Sequence, residues 1–449
     1  MLSSSPSTDQ PKIPVDTLID ARWVVPVEPA RRVLAHHSVA IESARIIAIL
    51  PTQEAHNRYA ARHGHHLKDH ALIPGLINLH THAPMTLLRG LADDLPLMEW
   101  LNHHIWPAES QFVSPEFVYD GTLLACAEML RGGTTCFNDM YFFPRHGAQA
   151  VQSAGMRAVI GMIALDFPTN YATDADDYLT KGRQFCEEFL GEPLISTSLA
   201  PHAPYTVGDK TFAGILTDAK QLNLNIHIHL HETQDEIAHS LEQYYLRPLQ
   251  RLHNLGLLGP NLIAVHAVHL SEEEIDTLAS LGCHVAHCPT SNLKLSSGIA
   301  PITAMLKQGI NIGLGTDGAA SNNRLDLFGE MRLAALLAKG ASGEPGTLPA
   351  WQALQMATLN GAKALGLDNI TGSLVPGKAA DIAAVNLSSL ETRPCYDVIS
   401  HLVYAAGREN VSHVWVNGEL LLDERRLTML DVDDLTAKAT FWQKRISQG

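Results

Sequence analysis

Short apolar runs alternate with helical stretches through the middle of the chain. The runs are four to eight residues long and rich in Val, Ile and Leu, which is typical of buried parallel strands. They cover residues 76–79, 134–140, 157–164, 194–200, 225–229, 262–266, 284–287 and 311–317. Because doubly wound sheets usually stop at five or six strands, eight strand–helix repeats predict an α/β fold of the (β/α)8 TIM barrel type.

Helix start and stop signals fall between these runs. Ser114 and Pro115 have the pattern of an N-cap and a first turn, and Gly132 follows as a stop signal. Ser271 and Glu274 have the spacing of a capping box. The segments between the strands are therefore expected to be helical.

Both ends of the chain have strand patterns instead. Residues 15–50 contain short β-branched runs broken by polar turns, and the same pattern returns at 380–387 and 413–422. Within the last segment, Asn417-Gly418 is a type I′ hairpin signal. The two ends are expected to pair into a small β-sandwich beside the barrel.

This pattern divides the chain into four parts. A disordered leader is expected at the N-terminus, followed by the first part of the sandwich, the barrel, and the second part of the sandwich with a terminal helix. The boundaries are 1–13, 14–73, 74–371 and 372–449.

Composition excludes several classes of protein. The 449 residues include 32 Lys and Arg against 47 Asp and Glu, a net charge of −15, which opposes binding to nucleic acid or anionic lipid. The six cysteines form no C-x-x-C pair, which suits a reducing cytoplasm. Neither a signal peptide nor an apolar run of about 18 residues is present, so no membrane span is expected.

Candidate metal ligands collect where the predicted strands end. The first run leads into His80 and His82, the fifth into His229, the sixth into His266 and the eighth into Asp317. The carboxyl ends of barrel strands carry the chemistry of this fold. Because imidazole and carboxylate are ligands for divalent transition metals, we expect one such ion here, with a position open for water.

The segment NIHIHLHE (225–232) places three histidines at every second position. Strand geometry directs His227 and His229 into the barrel, with His227 one layer below the rim, while His231 enters the following loop. His229 is therefore the best placed ligand. Glu232 is expected to carry a proton over the open metal position, and His266 either binds the metal weakly or holds the hydroxide by a hydrogen bond.

Other histidines are interpreted as surface residues. The segment 63–66 follows no apolar run and lies among charged residues, so we predict a solvated loop, and the pairs at 36–37 and 103–104 receive the same interpretation. A single histidine at a strand end is also more often a hydrogen-bonded core residue than a ligand. The metal hypothesis depends on the position that all five candidate ligands share.

Five segments of the chain carry a family resemblance. They are PGLINLHTH (74–82), IHLHET (228–233), VHAVHLS (265–271), CPTSNLKLSSGIAP (288–301) and GTDGAASNN (315–323). Together they resemble the amidohydrolase superfamily, and within it the 5-methylthioadenosine/S-adenosylhomocysteine deaminases of the chlorohydrolase-like branch. This resemblance implies hydrolytic deamination of 5′-methylthioadenosine, and also of S-adenosylhomocysteine or adenosine, to the inosine analogue and ammonia.

The resemblance also implies a mononuclear metal centre. His80, His82, His229 and Asp317 would bind one divalent ion per subunit, with zinc as the expected metal. The fourth strand leads into His202 and contains no lysine. A dinuclear centre with a carboxylated lysine is therefore not expected.

Further roles follow from the same resemblance. Glu232 would protonate the purine ring nitrogen, His266 would orient the hydroxide, and Asp317 would pass a proton to the departing ammonia. Glu109 would bind the ribose hydroxyls and His202 would contact the base. The alternatives are that Glu109 is a helix-start carboxylate and that His202 is a hydrogen-bonded loop residue.

One departure from the family bears on the substrate. Residues 161–178 are acidic and lack the arginines that suit an amino-acid carboxylate. An unpaired carboxylate near aspartates is disfavoured, so the neutral tail of methylthioadenosine fits better than S-adenosylhomocysteine.

Two rival functions stay open from the sequence. The first is a deaminase or hydrolase of another aminated ring, such as guanine, 8-oxoguanine or an s-triazine. The second is a metal-free barrel that acts as a binding protein. For the favoured function, the expected partner is a small-molecule adenosine thioether, with no nucleic acid and no membrane, in a cytoplasmic homo-oligomer that is a dimer or a tetramer.

Overall fold

The computed structural model of the chain describes residues 11–448. The first ten residues of the predicted leader lie outside this range. The N-terminal elements are β1 (Ile13–Val24), β2 (Leu34–Glu42), β3 (Arg45–Pro51), α1 (Thr52–Arg58) and β4 (Tyr59–Pro74).

The N-terminal strands form one half of a mixed sheet. β1 pairs antiparallel with β2 and parallel with β4, and β2 pairs antiparallel with β3. Residues 63–66 lie inside β4, so the loop predicted there is wrong. The segment lacks an apolar run because most of its side chains face solvent, and hydrogen bonding to β1 keeps it extended.

The middle of the chain forms a parallel barrel whose eight strands coincide with the eight predicted runs. They are hydrogen-bonded in chain order, and most of their residues are buried. The fold class predicted from the sequence is therefore confirmed. The strands are β5 (Leu76–Thr81), β6 (Thr134–Tyr141), β7 (Arg157–Ala164), β8 (Ile195–Pro201), β9 (Ile226–Leu230), β10 (Leu262–His266), β11 (His284–His287) and β12 (Asn311–Leu314).

Side chains help to close the barrel between β12 and β5. The Asn78 Oδ1 accepts a hydrogen bond from the backbone N–H of Thr316 at 3.0 Å, and its Nδ2 donates to Thr316 Oγ1 at 2.7 Å. Just above, the Asp317 N–H donates to the His80 carbonyl at 3.0 Å. These bonds bring the first and last strands of the barrel together.

Helices cover the outside of the barrel, with two irregular turns at Ala83–Leu88 (3₁₀) and Leu101–Ile105 (π). The cap of α4 at Ser114 and the capping box of α10 at Ser271 and Glu274 form as predicted. The helices are α2 (Leu97–Trp100), α3 (Trp106–Phe112), α4 (Pro115–Arg131), α5 (Pro144–Ala154), α6 (Ala175–Glu188), α7 (Asp209–Leu222), α8 (Gln234–Tyr244), α9 (Pro248–Asn254), α10 (Glu272–Ser280), α11 (Pro289–Lys294), α12 (Ile302–Lys307), α13 (Ala319–Asn322), α14 (Leu327–Ser342), α15 (Ala350–Met356) and α16 (Leu359–Ala364).

The C-terminal strands complete the mixed sheet. β13 pairs antiparallel with β4, which joins the two ends of the chain in one sheet of order β16-β15-β14-β13-β4-β1-β2-β3. Asn417 and Gly418 both have positive φ, as the predicted hairpin turn requires. The elements are β13 (Ile382–Asn386), α17 (Val398–Tyr404), β14 (Val411–Val416), β15 (Glu419–Asp423), β16 (Arg426–Leu427) and α18 (Val432–Gln448).

Buried polar contacts join the elements around the barrel. Arg157 of β7 and Asp381, just before β13, form an ion pair of 2.9 Å that is 5% and 0% exposed. α18 packs on α4, where the buried Trp442 donates its indole N–H to Asp120 at 3.0 Å. Within residues 11–448, no helix combines the length and apolar character needed to cross a bilayer.

Candidate active site

The structure brings four predicted metal ligands together at the carboxyl ends of the strands. The Nε2 atoms of His80 and His229 are 3.2 Å apart. The Asp317 Oδ1 lies 3.3 Å from His80 Nε2 and 3.3 Å from His82 Nε2. Ligand atoms around a zinc ion with bonds of roughly 2.0–2.2 Å are about 3.3 Å apart, also when the ion accepts water as a fifth ligand. The spacing of this donor set therefore fits such an ion.

Backbone contacts orient two of these rings. His82 Nδ1 contacts the Met140 carbonyl at 2.6 Å, and His229 Nδ1 contacts the His202 carbonyl at 2.7 Å. Because a carbonyl only accepts hydrogen bonds, each Nδ1 carries the hydrogen and each Nε2 presents a lone pair to the cluster. This is the arrangement that metal-binding histidines need.

Burial keeps the rings of His80 and His229 in their neutral, ligating form. It lowers the pKa of His80 to about 4 and that of His229 well below its usual value. Both rings are thus unprotonated at neutral pH. A cation at this position would not have to displace protons from them.

The backbone is strained where the cluster forms. His266 and Asp317 have φ values of 70° and 62°, in the left-handed region that favours glycine. Beside Asp317, a Cβ added to Gly315 would lie 2.9 Å from the His80 Cβ. Only glycine lets β5 and the segment after β12 approach this closely.

Glu232 lies beside the cluster and faces the cavity. Its side chain is buried, and burial raises the pKa of its carboxyl above the usual value. Oε1 accepts a hydrogen bond from Ser297 Oγ at 3.2 Å, and Oε2 is 3.7 Å from His266 Nε2. A buried carboxyl whose pKa is raised is better suited to donate a proton than an exposed one.

A second glutamate, which the sequence reasoning missed, holds the backbone of this loop. Glu236 Oε1 accepts from the His231 N–H at 2.8 Å, and its Oε2 accepts from the Glu232 N–H at 2.8 Å. His231 itself has a φ of 56°. Glu236 therefore fixes the strained turn that carries Glu232. The sequence signal that could have identified Glu236 is its position four residues after Glu232, in the first turn of α8.

The other two histidines of the segment 225–232 have separate positions. His227 lies below the cluster, with Nε2 2.9 Å from His80 Nδ1. His231 Nε2 accepts a hydrogen bond from the Leu249 N–H at 3.0 Å, outside the cluster. The geometry is thus the one expected from strand alternation, with His229 at the rim.

The segment 288–301 supplies three polar contacts that the sequence reasoning did not assign. Ser291 Oγ donates to Asp317 Oδ2 at 2.6 Å, Asn292 Oδ1 is 2.8 Å from His266 Nδ1, and Ser297 donates to Glu232. These partners orient three candidate catalytic side chains. The sequence did not predict them because they lie on a short helix and the loop after it, and not directly after an apolar strand run.

The two predicted substrate contacts also line the cavity. Glu109 accepts a hydrogen bond from the Tyr141 hydroxyl at 2.7 Å, and burial raises the pKa of Glu109 to about 7 despite that bond. His202 Nδ1 is 3.0 Å from Thr206 Oγ1. Both of the alternative roles are visible, since Glu109 lies in the first turn of α3 and His202 has a partner in its own loop.

Apolar side chains form most of the remaining cavity wall. Trp106 and Phe167 contact each other with ring centroids 6.3 Å apart. Among the described residues that line the cavity, there is no lysine or arginine. The other lining apolar residues include Met85, Leu97, Trp100, Leu101, Val113, Met140, Phe142, Ile163 and Leu165.

Comparison with known proteins agrees with this architecture. A sequence profile of the Amidohydrolase family matches residues 71–421. The chain is 47% identical over 435 residues to a 5-methylthioadenosine/S-adenosylhomocysteine deaminase of Saccharophagus degradans, which covers 97% of this chain and 98% of that protein. It is 43% identical over 429 residues to a 5′-deoxyadenosine deaminase of Methanosarcina mazei, with 94% and 96% covered.

A solved structure is also similar over almost the whole chain. The crystal structure of an adenosine deaminase from Xanthomonas campestris with bound zinc aligns with a TM-score of 0.97 at 49% identity. The alignment covers 98% of this chain and 100% of that one. Both the profile match and the identity over nearly the full length show that this chain belongs to the amidohydrolase family.

Proposed function

We propose that this protein hydrolytically deaminates adenosine thioethers, with 5′-methylthioadenosine as the preferred substrate. In this reaction, water adds to C6 of the adenine ring, a C–O bond forms, the C6–N bond breaks and ammonia leaves. The observation that carries the proposal is the convergence of four metal-ligand atoms with a buried glutamate at the end of one cavity. The names of the relatives in the amidohydrolase family support the same reaction.

The residues that would hold the metal are His80, His82, His229 and Asp317. When bound, a divalent ion such as zinc supplies Lewis acidity that activates water near neutral pH. The zinc reported for the Xanthomonas campestris structure supports this choice of metal.

The protein's own groups would then move the protons. Glu232 would hold a proton at its carboxyl and donate it to the ring nitrogen next to C6, because its burial favours the protonated form. His266 would orient the attacking water through Nε2, since its Nδ1 is 2.8 Å from Asn292 Oδ1. Asp317 would accept the proton of that water and pass it to the departing ammonia, while Ser291 holds its other oxygen at 2.6 Å.

Two residues would select a nucleoside over a free base. The Glu109 carboxyl would accept hydrogen bonds from the ribose hydroxyls, and Tyr141 would hold it in place through the 2.7 Å bond. His202 would contact the base. Both residues line the same cavity as Glu232.

The apolar wall supports a neutral substituent on the 5′ carbon. Burying a charged carboxylate costs several kcal/mol unless a cation pairs with it. No described residue lining the cavity is a lysine or arginine, so the amino-acid group of S-adenosylhomocysteine would lack such a partner. A methylthio group would instead contact apolar side chains.

A substrate panel tests the proposal. The zinc-loaded enzyme is given 5′-methylthioadenosine, S-adenosylhomocysteine, 5′-deoxyadenosine, adenosine and guanine, and ammonia release is measured. We expect kcat/KM to be highest for methylthioadenosine and at least tenfold lower for S-adenosylhomocysteine, about 1.4 kcal/mol in transition-state stabilisation. Failure to deaminate any adenosine compound would overturn the proposal, and a preference for guanine would favour the free-base alternative.

A charge introduced at the cavity rim provides a sharper test of the tail preference. Phe167 is 39% exposed and lines the cavity. Phe167→Arg should raise the relative kcat/KM for S-adenosylhomocysteine, whereas the neutral control Phe167→Met should not. An equal change in both variants would show that size rather than charge selects the tail.

The setting of the enzyme is part of the proposal. We propose a cytoplasmic homo-oligomer, a dimer or tetramer, that binds neither nucleic acid nor membranes. The net charge of −15 and six free cysteines support this setting, and the family resemblance supports the oligomer. Light scattering coupled to size exclusion would measure the oligomeric state, and a monomer would contradict it.

A further inference from the structure

We propose that Asp20, His56 and His66 form a second site for a divalent transition metal, on the mixed sheet and separate from the barrel. The three residues come from β1, α1 and β4. None of them lines the barrel cavity. The site would therefore bind its ion independently of the proposed catalytic centre.

Strand pairing brings two of the three residues together. Asp20 of β1 lies directly opposite His66 in the parallel ladder with β4, and opposite Ser38 in the antiparallel ladder with β2. Residues that face each other across a ladder have their side chains on the same face of the sheet. His56 reaches the same face from the last turn of α1.

The nitrogen atoms of both rings converge on one carboxylate oxygen. His56 Nε2 is 2.8 Å and His66 Nδ1 is 2.6 Å from Asp20 Oδ2. The three candidate ligand atoms all lie within 4.8 Å of one another. The rings are stacked, with centroids 5.9 Å apart and planes at 19°. Two imidazoles and one carboxylate are a donor set for zinc, copper or nickel.

A neighbouring hydroxyl holds the carboxylate. Ser38 Oγ donates to Asp20 Oδ1 at 2.6 Å, which leaves Oδ2 to face the two rings. Such outer partners orient ligands and strengthen metal binding. The Asp20 side chain is only 13% exposed and its position is thus well defined.

The two imidazoles are accessible to an ion from solvent. The side chains of His56 and His66 are 42% and 64% exposed. An ion would replace the hydrogens on the ring nitrogens that face Asp20, and these hydrogens would move to the other ring nitrogens. The exposed rings can move away from Asp20 by the roughly 0.5–0.7 Å that separates contacts of 2.6 and 2.8 Å from the ligand spacing of about 3.3 Å around zinc. Water would fill the remaining coordination positions. The bound ion would tie α1 to β1 and β4.

Zinc stoichiometry tests this site with the full-length protein. The chain is stripped with a chelator, dialysed against micromolar free zinc and measured by elemental analysis. We expect two ions per chain in the wild type and one in the double variant His56→Ala/His66→Ala, with deaminase activity unchanged. The control His63→Ala, an exposed histidine of the same strand, should keep two. One ion in both the wild type and the double variant would overturn the proposal.

A variant of the barrel separates this proposal from the proposed function. His80→Ala should lose the barrel ion and keep the one on the sheet, so it should still bind one zinc and still gain thermal stability from it. Adding His56→Ala and His66→Ala should abolish that zinc-dependent rise in melting temperature. A rise that persists in the triple variant would refute a site at these residues, whatever the enzyme's substrate proves to be.

Discussion

Glu232→Gln is expected to remove the proposed proton donor of the reaction while leaving the site otherwise intact. Glutamine has nearly the same size, and its Oε1 can still accept the 3.2 Å hydrogen bond from Ser297. What is lost is the ability of the carboxyl to carry and donate a proton, which burial favours by raising its pKa. General acid–base catalysis contributes roughly 10²–10⁴-fold to a rate, so kcat should fall by that factor, about 3–5 kcal/mol in activation free energy.

Steady-state kinetics with methylthioadenosine, followed by the change in ultraviolet absorbance as adenine is deaminated, would measure this loss. Ser297→Ala is the matched control, because it removes one hydrogen bond to Glu232 and should cost about tenfold or less. Zinc content should stay at the wild-type value in both variants. If Glu232→Gln kept more than about a tenth of kcat, Glu232 would not be the acid. Loss of zinc would instead show that Glu232 is a ligand.

Three further variants test other parts of the structure. Because burial raises the pKa of Glu109 to about 7, its charge destabilises the fold above that pH, by up to about 3 kcal/mol, and the penalty disappears below about pH 4.5. Glu109→Gln should therefore raise the KM for nucleosides. It should also stabilise the substrate-free enzyme at about pH 8 but not at about pH 5. Denaturation curves that shift equally at the two pH values would contradict this. Arg157→Met leaves Asp381 buried without its cationic partner and should lower the free energy of unfolding by about 3–5 kcal/mol. The control Arg145→Met, at an exposed ion pair, should lower it by less than about 1 kcal/mol. Equal losses in the two variants would show that burial does not determine the contribution of the pair. His227→Ala removes the contact to His80 below the proposed metal ligands and should weaken zinc binding about 10–100-fold, as measured by chelator competition. An unchanged zinc affinity would show that His227 only fills space.

The sequence predicted most of the barrel because its signals are local. Each buried strand is a nearly continuous apolar run, and helix caps such as Ser114 and Ser271 satisfy backbone groups within four residues. The candidate ligands follow these strands directly, so strand order and fold class were enough to bring His229 and Asp317 to the same rim.

The contacts that orient the site could not be predicted in the same way. Three side chains of this kind are those of Ser291, Asn292 and Ser297. They meet Asp317, His266 and Glu232 only after β9 to β12 have assembled. Their own segment has neither a strand pattern nor a ligand spacing. The loop prediction for residues 63–66 was wrong because it relied on a local signal. Their polar local composition indicated a loop, but pairing with β1 makes the segment a strand.

The seam of the barrel connects stability to function. β5 and β12 lie at opposite ends of the sheet order, and the side chain of Asn78 makes two hydrogen bonds to Thr316 across the gap between them. His80 and Asp317 lie one layer higher on the same two segments. A metal ion bound by both would therefore cross-link the seam as well as activate water, and would stabilise the folded state by mass action. It follows that weakening the seam by Asn78→Ala should lower zinc affinity and thermal stability together, although Asn78 touches neither the ion nor the substrate.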